Sequence, residues 1–92
     1  MARRLTQRDI DHDLNQSLAT WSALPGVERE IDSWDLIEQI DFVEEWAIQE
    51  DRLIRLSRAA EDHVMNDDQR CRYHELEQIV QRNRPIIAAL RR

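Results

Sequence analysis

The sequence predicts an all-α fold: three helices over residues 6–24, 33–65 and 68–91 of a single helical domain spanning 1–92. The second and third helices are expected to form a long antiparallel hairpin, joined by a short N-terminal helix. Three observations carry this. One glycine and two prolines leave too few turn residues for β-hairpins or sandwiches. Charged residues make up 35% of the chain and apolar residues 41%, a balance that suits amphipathic helices. The apolar residues recur at intervals of three and four rather than two.

Thr6 is the candidate N-cap of the first helix, with Asp9 three residues on as a capping-box variant. Ile10, Leu14, Leu18, Trp21 and Leu24 then form one stripe. Pro25-Gly26 is expected to end the helix, since proline disfavours helix in the residue before it and glycine accepts a positive φ. Asp32 and Ser33 are candidate caps for the second helix, with Asp35 in its first turn.

From Trp34 to about Met65 no proline or glycine intervenes. A helix of that length is roughly 48 Å long at 1.5 Å per residue. A compact chain of this size is only about 30 Å across. Asn66-Asp67-Asp68 supplies the next break and a cap for the third helix. Tyr73, Leu76, Val80, Ile87 and Leu90 keep its rhythm, with Asn83 in the missing step and Ile79 and Ile86 widening the stripe. Pro85 removes one helical hydrogen bond, so a kink or short break is expected near Asn83–Arg84. The short turn at Asn66–Asp68 makes the last two helices antiparallel. A helix longer than its domain needs cover that the first helix cannot give, which predicts a homodimer built from two hairpins.

On a wheel of 100° per residue, Leu36, Ile40, Val43, Trp46, Leu53, Ile54 and Val64 share one arc of the long helix with Ala47 and Ala60. Gln39, Glu50, Ser57 and Glu61 form a polar line near the centre of that arc. Trp34, Ile37, Ile48 and Leu56 form a second, sparser band behind it. Glu50 and Glu61 are expected to face arginines such as Arg82 or Arg84, since an unpaired buried carboxylate is costly. Two other roles for the polar line are a register device at a bundle seam and a metal or catalytic carboxylate.

The chemistry-bearing patterns are incomplete. A ferritin-like carboxylate bundle wants Glu-x-x-His, but Glu61 precedes Val64, and neither His63 nor His74 follows a glutamate at that spacing. Glu50, Glu61, His63 and His74 are therefore the metal candidates of an alternative reading only. Cys71 and His74 share a helical face, yet zinc needs two further ligands that only a second chain could supply. Asp9, Asp11, His12 and Asp13 lack the glycine and spacing of a calcium loop. No phosphate loop, nucleophile elbow or triad is present, so neither an enzyme nor a cofactor is expected.

Charge points to a partner instead. The net charge is −6, and residues 1–46 hold eleven acids against four arginines. This disfavours direct contact with nucleic acid. All thirteen basic residues are arginine, through GC-rich coding or a need for forked ion pairs. The charged N-terminus reads as no secretory signal, no apolar run reaches a membrane span, and a lone cysteine suits a cytoplasmic protein. The expected function is protein binding, as an adaptor, regulator or small chaperone. Trp34 and Ile37 are its apolar anchors, and Glu38, Asp41 and Glu45 are its acidic contacts to a basic partner surface. The alternatives are the metal-binding bundle above and an acidic DNA-mimic inhibitor.

Overall fold

The computed structural model describes residues 6–91. Helix α1 runs Gln7–Ser22, α2 Leu24–Glu30, α3 Leu36–Glu61 and α4 Asp67–Leu90, with a 3₁₀ turn at Ile31–Ser33 between α2 and α3. The fold is all-α, and no strand occurs among the described residues. No described helix is long and apolar enough to cross a membrane.

Local chemistry sets the helix starts. The Thr6 hydroxyl accepts from the Asp9 amide at 3.1 Å, and the Asp9 carboxylate accepts from the Thr6 amide at 3.0 Å. This reciprocal box satisfies two donors that the first turn would leave orphaned. Asn66 and Gln69 repeat the device at the start of α4. Helix α3 is capped by Asp35, whose carboxylate accepts from the Glu38 amide at 2.8 Å. Asp32 and Ser33 instead lie in the 3₁₀ turn, and Trp34 is extended just ahead of the cap.

Helix α1 ends at Ser22, just ahead of Pro25-Gly26 as expected, but the pair itself lies in the short helix α2 rather than in a loop. Pro25 sits in the first turn of α2, where its missing N–H would be unsatisfied anyway. Gly26 has no positive φ. Leu24 stays helical ahead of the proline and is fully buried, so packing outweighs the local steric preference.

Helix α3 ends at Glu61, short of Met65, in a Schellman closure. The His63 amide donates to the Ala60 carbonyl and the Val64 amide to the Ala59 carbonyl, both at 3.2 Å. His63 takes the left-handed conformation that this closure requires, with φ of 57°. Pro85 lies inside α4, which continues without a break from Asp67 to Leu90.

α3 and α4 form the expected hairpin. Its long dimension matches the molecule's extent of 42 Å, against 29 and 19 Å in the other directions. Helix α1 packs on one side of the hairpin and touches both helices. Ile10, Leu14 and Trp21 from α1 meet Trp46, Leu56, Leu76 and Ile87 in the core. Trp21 and Trp46 stack edge to face with centroids 4.9 Å apart. Polar clamps fix α1 laterally. The buried Asp13 carboxylate accepts from Arg55 Nε at 3.2 Å, and Arg52 Nε stands 3.5 Å away. On the other flank Arg72 donates to Asp11 at 2.6 Å and to Asn15 at 3.0 Å. Asn83, fully surrounded, donates to the Trp21 carbonyl at 2.9 Å and so satisfies an end of α1.

α3 presents a different face to this core than the wheel predicts. Leu56, expected on the back, is fully buried, and Ala59 beside it is buried too. Leu36, Ile40 and Ile54, expected inside, are 69%, 45% and 51% exposed. α1 thus takes the flank that carries Trp46, Leu53 and Leu56, turned about 90° from the centre of the predicted arc.

Candidate interaction surface

Placed on the structure, the five residues expected at a partner surface gather at the N-terminal end of α3. Glu38, Asp41 and Glu45 are exposed, and Ile37 is 71% exposed among them. Residues 36–47 contain four acids and no base. The helix needs acids at this end only in its first turn, to balance the helix dipole. Asp41, Glu44 and Glu45 lie beyond that reach, so the local fold does not account for them. A hydrogen bond to Asp35, together with that neighbour's negative charge, raises the Glu38 pKa above the usual carboxylate value.

Trp34 is held differently from the other four. Its ring is part-buried edge to face on Phe42 at 5.8 Å, and Phe42 in turn lies 5.6 Å from Trp46. The Gln39 amide donates to its carbonyl at 3.0 Å. An aromatic row therefore runs from the core through Trp46 and Phe42 to the surface at Trp34. Trp34 itself is only half-buried, next to the exposed acids.

The polar line of α3 is largely partnered. Glu50 accepts from Arg84 of α4 at 3.0 Å and from the Trp46 indole at 3.3 Å, so an arginine faces it as its place on the wheel suggests. The same guanidinium lies 5.3 Å from the Trp21 ring centroid, a cation–π distance. Ser57 hydrogen-bonds Tyr73, whose pKa is raised mainly by burial despite that bond. Glu61 is exposed and makes no ion pair among the described residues.

The four metal candidates do not converge. Glu50 and Glu61 stand eleven residues apart, about 16 Å along the helix axis. His63 belongs to the interhelical turn, and His74 contacts Gln78 at 3.2 Å. Among the described residues no three His, Cys, Asp or Glu side chains form a group able to hold an ion.

Sequence reasoning missed the open face of the hairpin. Two grooves lie between α3 and α4. One, of about 350 Å³, is lined by Leu53, Ile54, Tyr73, Leu76 and Val80 with the Glu50–Arg84 pair. The other, of about 310 Å³, lies towards the open end between Leu36, Ile40, Val43 and Leu90, with Glu44 and Arg91 at its edges. The signal was present as the two apolar bands of α3. Periodicity alone could not say which band α1 would cover.

Compared with known proteins, the chain matches no family model, no curated relative and no solved structure.

Proposed function

We propose that this chain is a protein-binding module that engages a basic partner surface through the N-terminal end of α3. The observation that carries the reading is the exposed run of four acids without a base, surrounding the exposed Ile37. An apolar anchor inside a charged rim is the usual anatomy of a specific protein interface. Glu38, Asp41 and Glu45 supply long-range attraction, and Ile37 with the half-buried Trp34 supplies desolvated contact. The raised Glu38 pKa supports this reading, because a basic partner would relieve the repulsion from Asp35.

The test compares wild type with Glu38→Arg/Asp41→Arg as bait in extracts of the source organism. Proteins recovered by wild type are then purified and their affinity remeasured against rising salt. The expected result is loss of binding by the double variant and a Kd that rises steeply with ionic strength. Equal binding by wild type and the double variant would reject the reading. Trp34→Ala is a secondary probe, since it also removes the Phe42 contact.

A further inference from the structure

We infer that two copies of this chain pack groove to groove along the bare side of the hairpin. The two-fold axis runs parallel to α3 and α4. The product is a four-helix bundle in which each α3 lies antiparallel on the other copy's α4.

The first argument is what the fold leaves open. α1 covers the hairpin from one side only, and the opposite side carries the two grooves end to end. Leu36, Ile40 and Ile54 line them while remaining roughly half exposed or more. On α3 Leu36, Ile40, Val43, Glu50 and Ile54 line the grooves, and with Ala47 in the step between Val43 and Glu50 they alternate by four and three, the spacing of a left-handed bundle seam. Of the α3 polar line, Gln39, Glu50 and Ser57 are already partnered within the chain, and the exposed Glu61 lies outside the residues that line the grooves.

The second argument is area. A hairpin of about 24 residues per helix is about 36 Å long, and two helices are about 20 Å wide. The open face thus offers about 700 Å² per copy, close to the roughly 800 Å² per partner of a standard stable interface.

Charge selects the occupant and its orientation. At the open end the α3 wall carries Glu44 and the α4 wall carries Arg91. Towards the turn, beside the internally paired Glu50 and Arg84, the α4 wall adds Glu77, while Arg58 of α3 is exposed at the same angular position as Ile40. A two-fold axis along the groove lays each α3 over the other copy's α4 with ends matched. Glu44 then meets the second copy's Arg91, and Arg58 meets its Glu77. An axis across the hairpin would set α3 on α3 and lose both pairings. The face used meets the acidic face only at Glu44, because Asp41 and Glu45 lie about 100–140° round the helix from Ile40. Glu38→Arg/Asp41→Arg leaves every groove residue unchanged, and Ile40→Glu/Ile54→Glu leaves Ile37 and all four acids unchanged, so the two tests fail independently.

The test uses two charge variants and their mixture. Glu44→Arg/Glu77→Arg gives a groove with basic residues on both walls, and Arg58→Glu/Arg91→Glu gives an acidic one. Wild type is expected to sediment at twice the chain mass of 11.1 kDa. Each variant alone is expected to dimerise at least about tenfold more weakly. Mixed together they restore the dimer, because every cross-pair again joins opposite charges. Both variants keep a net negative charge, so simple attraction between chains does not explain rescue. Ile40→Glu/Ile54→Glu is expected to be monomeric with helical circular dichroism retained, and Ile48→Glu, outside the groove, remains dimeric. A wild type that sediments as one chain at high micromolar concentration overturns the proposal. So does a mixture that stays monomeric while wild type dimerises.

Discussion

Arg84 Nη1 lies 3.0 Å from Glu50 Oε1, and this pair ties α4 to α3 at the floor of the open groove. The same arginine covers the Trp21 ring, and the same carboxylate accepts from Trp46. The site therefore links all three long helices through one ion pair. Both side chains keep water access, so the Coulombic part is modest. A double-mutant cycle with Glu50→Gln and Arg84→Gln is expected to give a coupling of about 0.5–1 kcal/mol by urea denaturation. Arg84→Gln alone is expected to cost about 1–2 kcal/mol, because the contact with Trp21 is lost as well. A coupling indistinguishable from zero would mean that the pair only rides on the packing of the helices.

Asp13 presents the contrasting case. It is buried and holds Arg55 by two hydrogen bonds, at 3.2 and 3.3 Å, with Arg52 at ion-pair distance but not aligned to donate. Asp13→Asn keeps the shape and removes the charge, leaving two guanidiniums facing a neutral amide. The expected loss is about 3 kcal/mol, larger than for Arg55→Gln, since Arg52 still pairs with the carboxylate in that variant. Salt in the assay is expected to change this little, as the acid is shielded from solvent. Equal losses for the two variants would show that Arg52 contributes no attraction.

Acid stability separates two carboxylates, the half-buried Asp11 and the exposed Glu38, by sign. Hydrogen bonds from Gln69 and then Arg72 hold the Asp11 pKa below its ordinary value. Its contribution is therefore present above the unfolded pKa and fades as pH falls through the folded one. Glu38 has the opposite shift, raised chiefly by its hydrogen bond to Asp35. Its contribution is present below the unfolded pKa and fades as pH rises through the folded one. At about pH 7, Asp11→Asn is expected to lower the melting temperature and Glu38→Gln to raise it. Both differences shrink as the carboxylates protonate. A melting series in buffers across the acid range checks the two signs independently.

What the sequence made legible follows from how local each cause is. Capping at Thr6 and Asn66 depends on side chains within three residues, and both caps form as their spacing implies. The pairing of Glu50 with an arginine was legible because a lone acid on an apolar arc needs a counter-charge. The rotation of α3 was not legible, since Leu53 and Leu56 on one flank and Ile40 and Ile54 on the other are equally apolar. The choice between them belongs to α1. Asp13 carried the missing signal: an acid on the same side of α1 as Ile10 and Leu14 asks for basic partners, and Arg52 and Arg55 of α3 supply them. Pro25 marked the end of α1 but hid the short helix α2 behind it, because proline also fits a helix's first turn and Leu24 ahead of it is buried.

The single glycine sits where the fold does not need it, and a left-handed turn is filled by histidine. Gly26 lies in α2 with no positive φ, and a Cβ there would meet only Arg29 Nη2, at an ordinary 3.8 Å. Gly26→Ala is therefore expected to stabilise the protein by about 0.5–1 kcal/mol, through helix propensity and a less flexible unfolded chain. His63 occupies the closing position of α3 at φ of 57°, which a side chain with Cβ tolerates poorly. His63→Gly removes that strain at the cost of a more flexible unfolded chain, and the Ala60 and Ala59 carbonyls keep their partners. The expected net gain is about 0.5–1 kcal/mol. The two sites lie in different elements, so the double variant is expected to be additive in chemical denaturation. Destabilisation by Gly26→Ala would show that α2 depends on backbone freedom at that position. Destabilisation by His63→Gly would show that the imidazole holds the turn through a contact worth more than the strain.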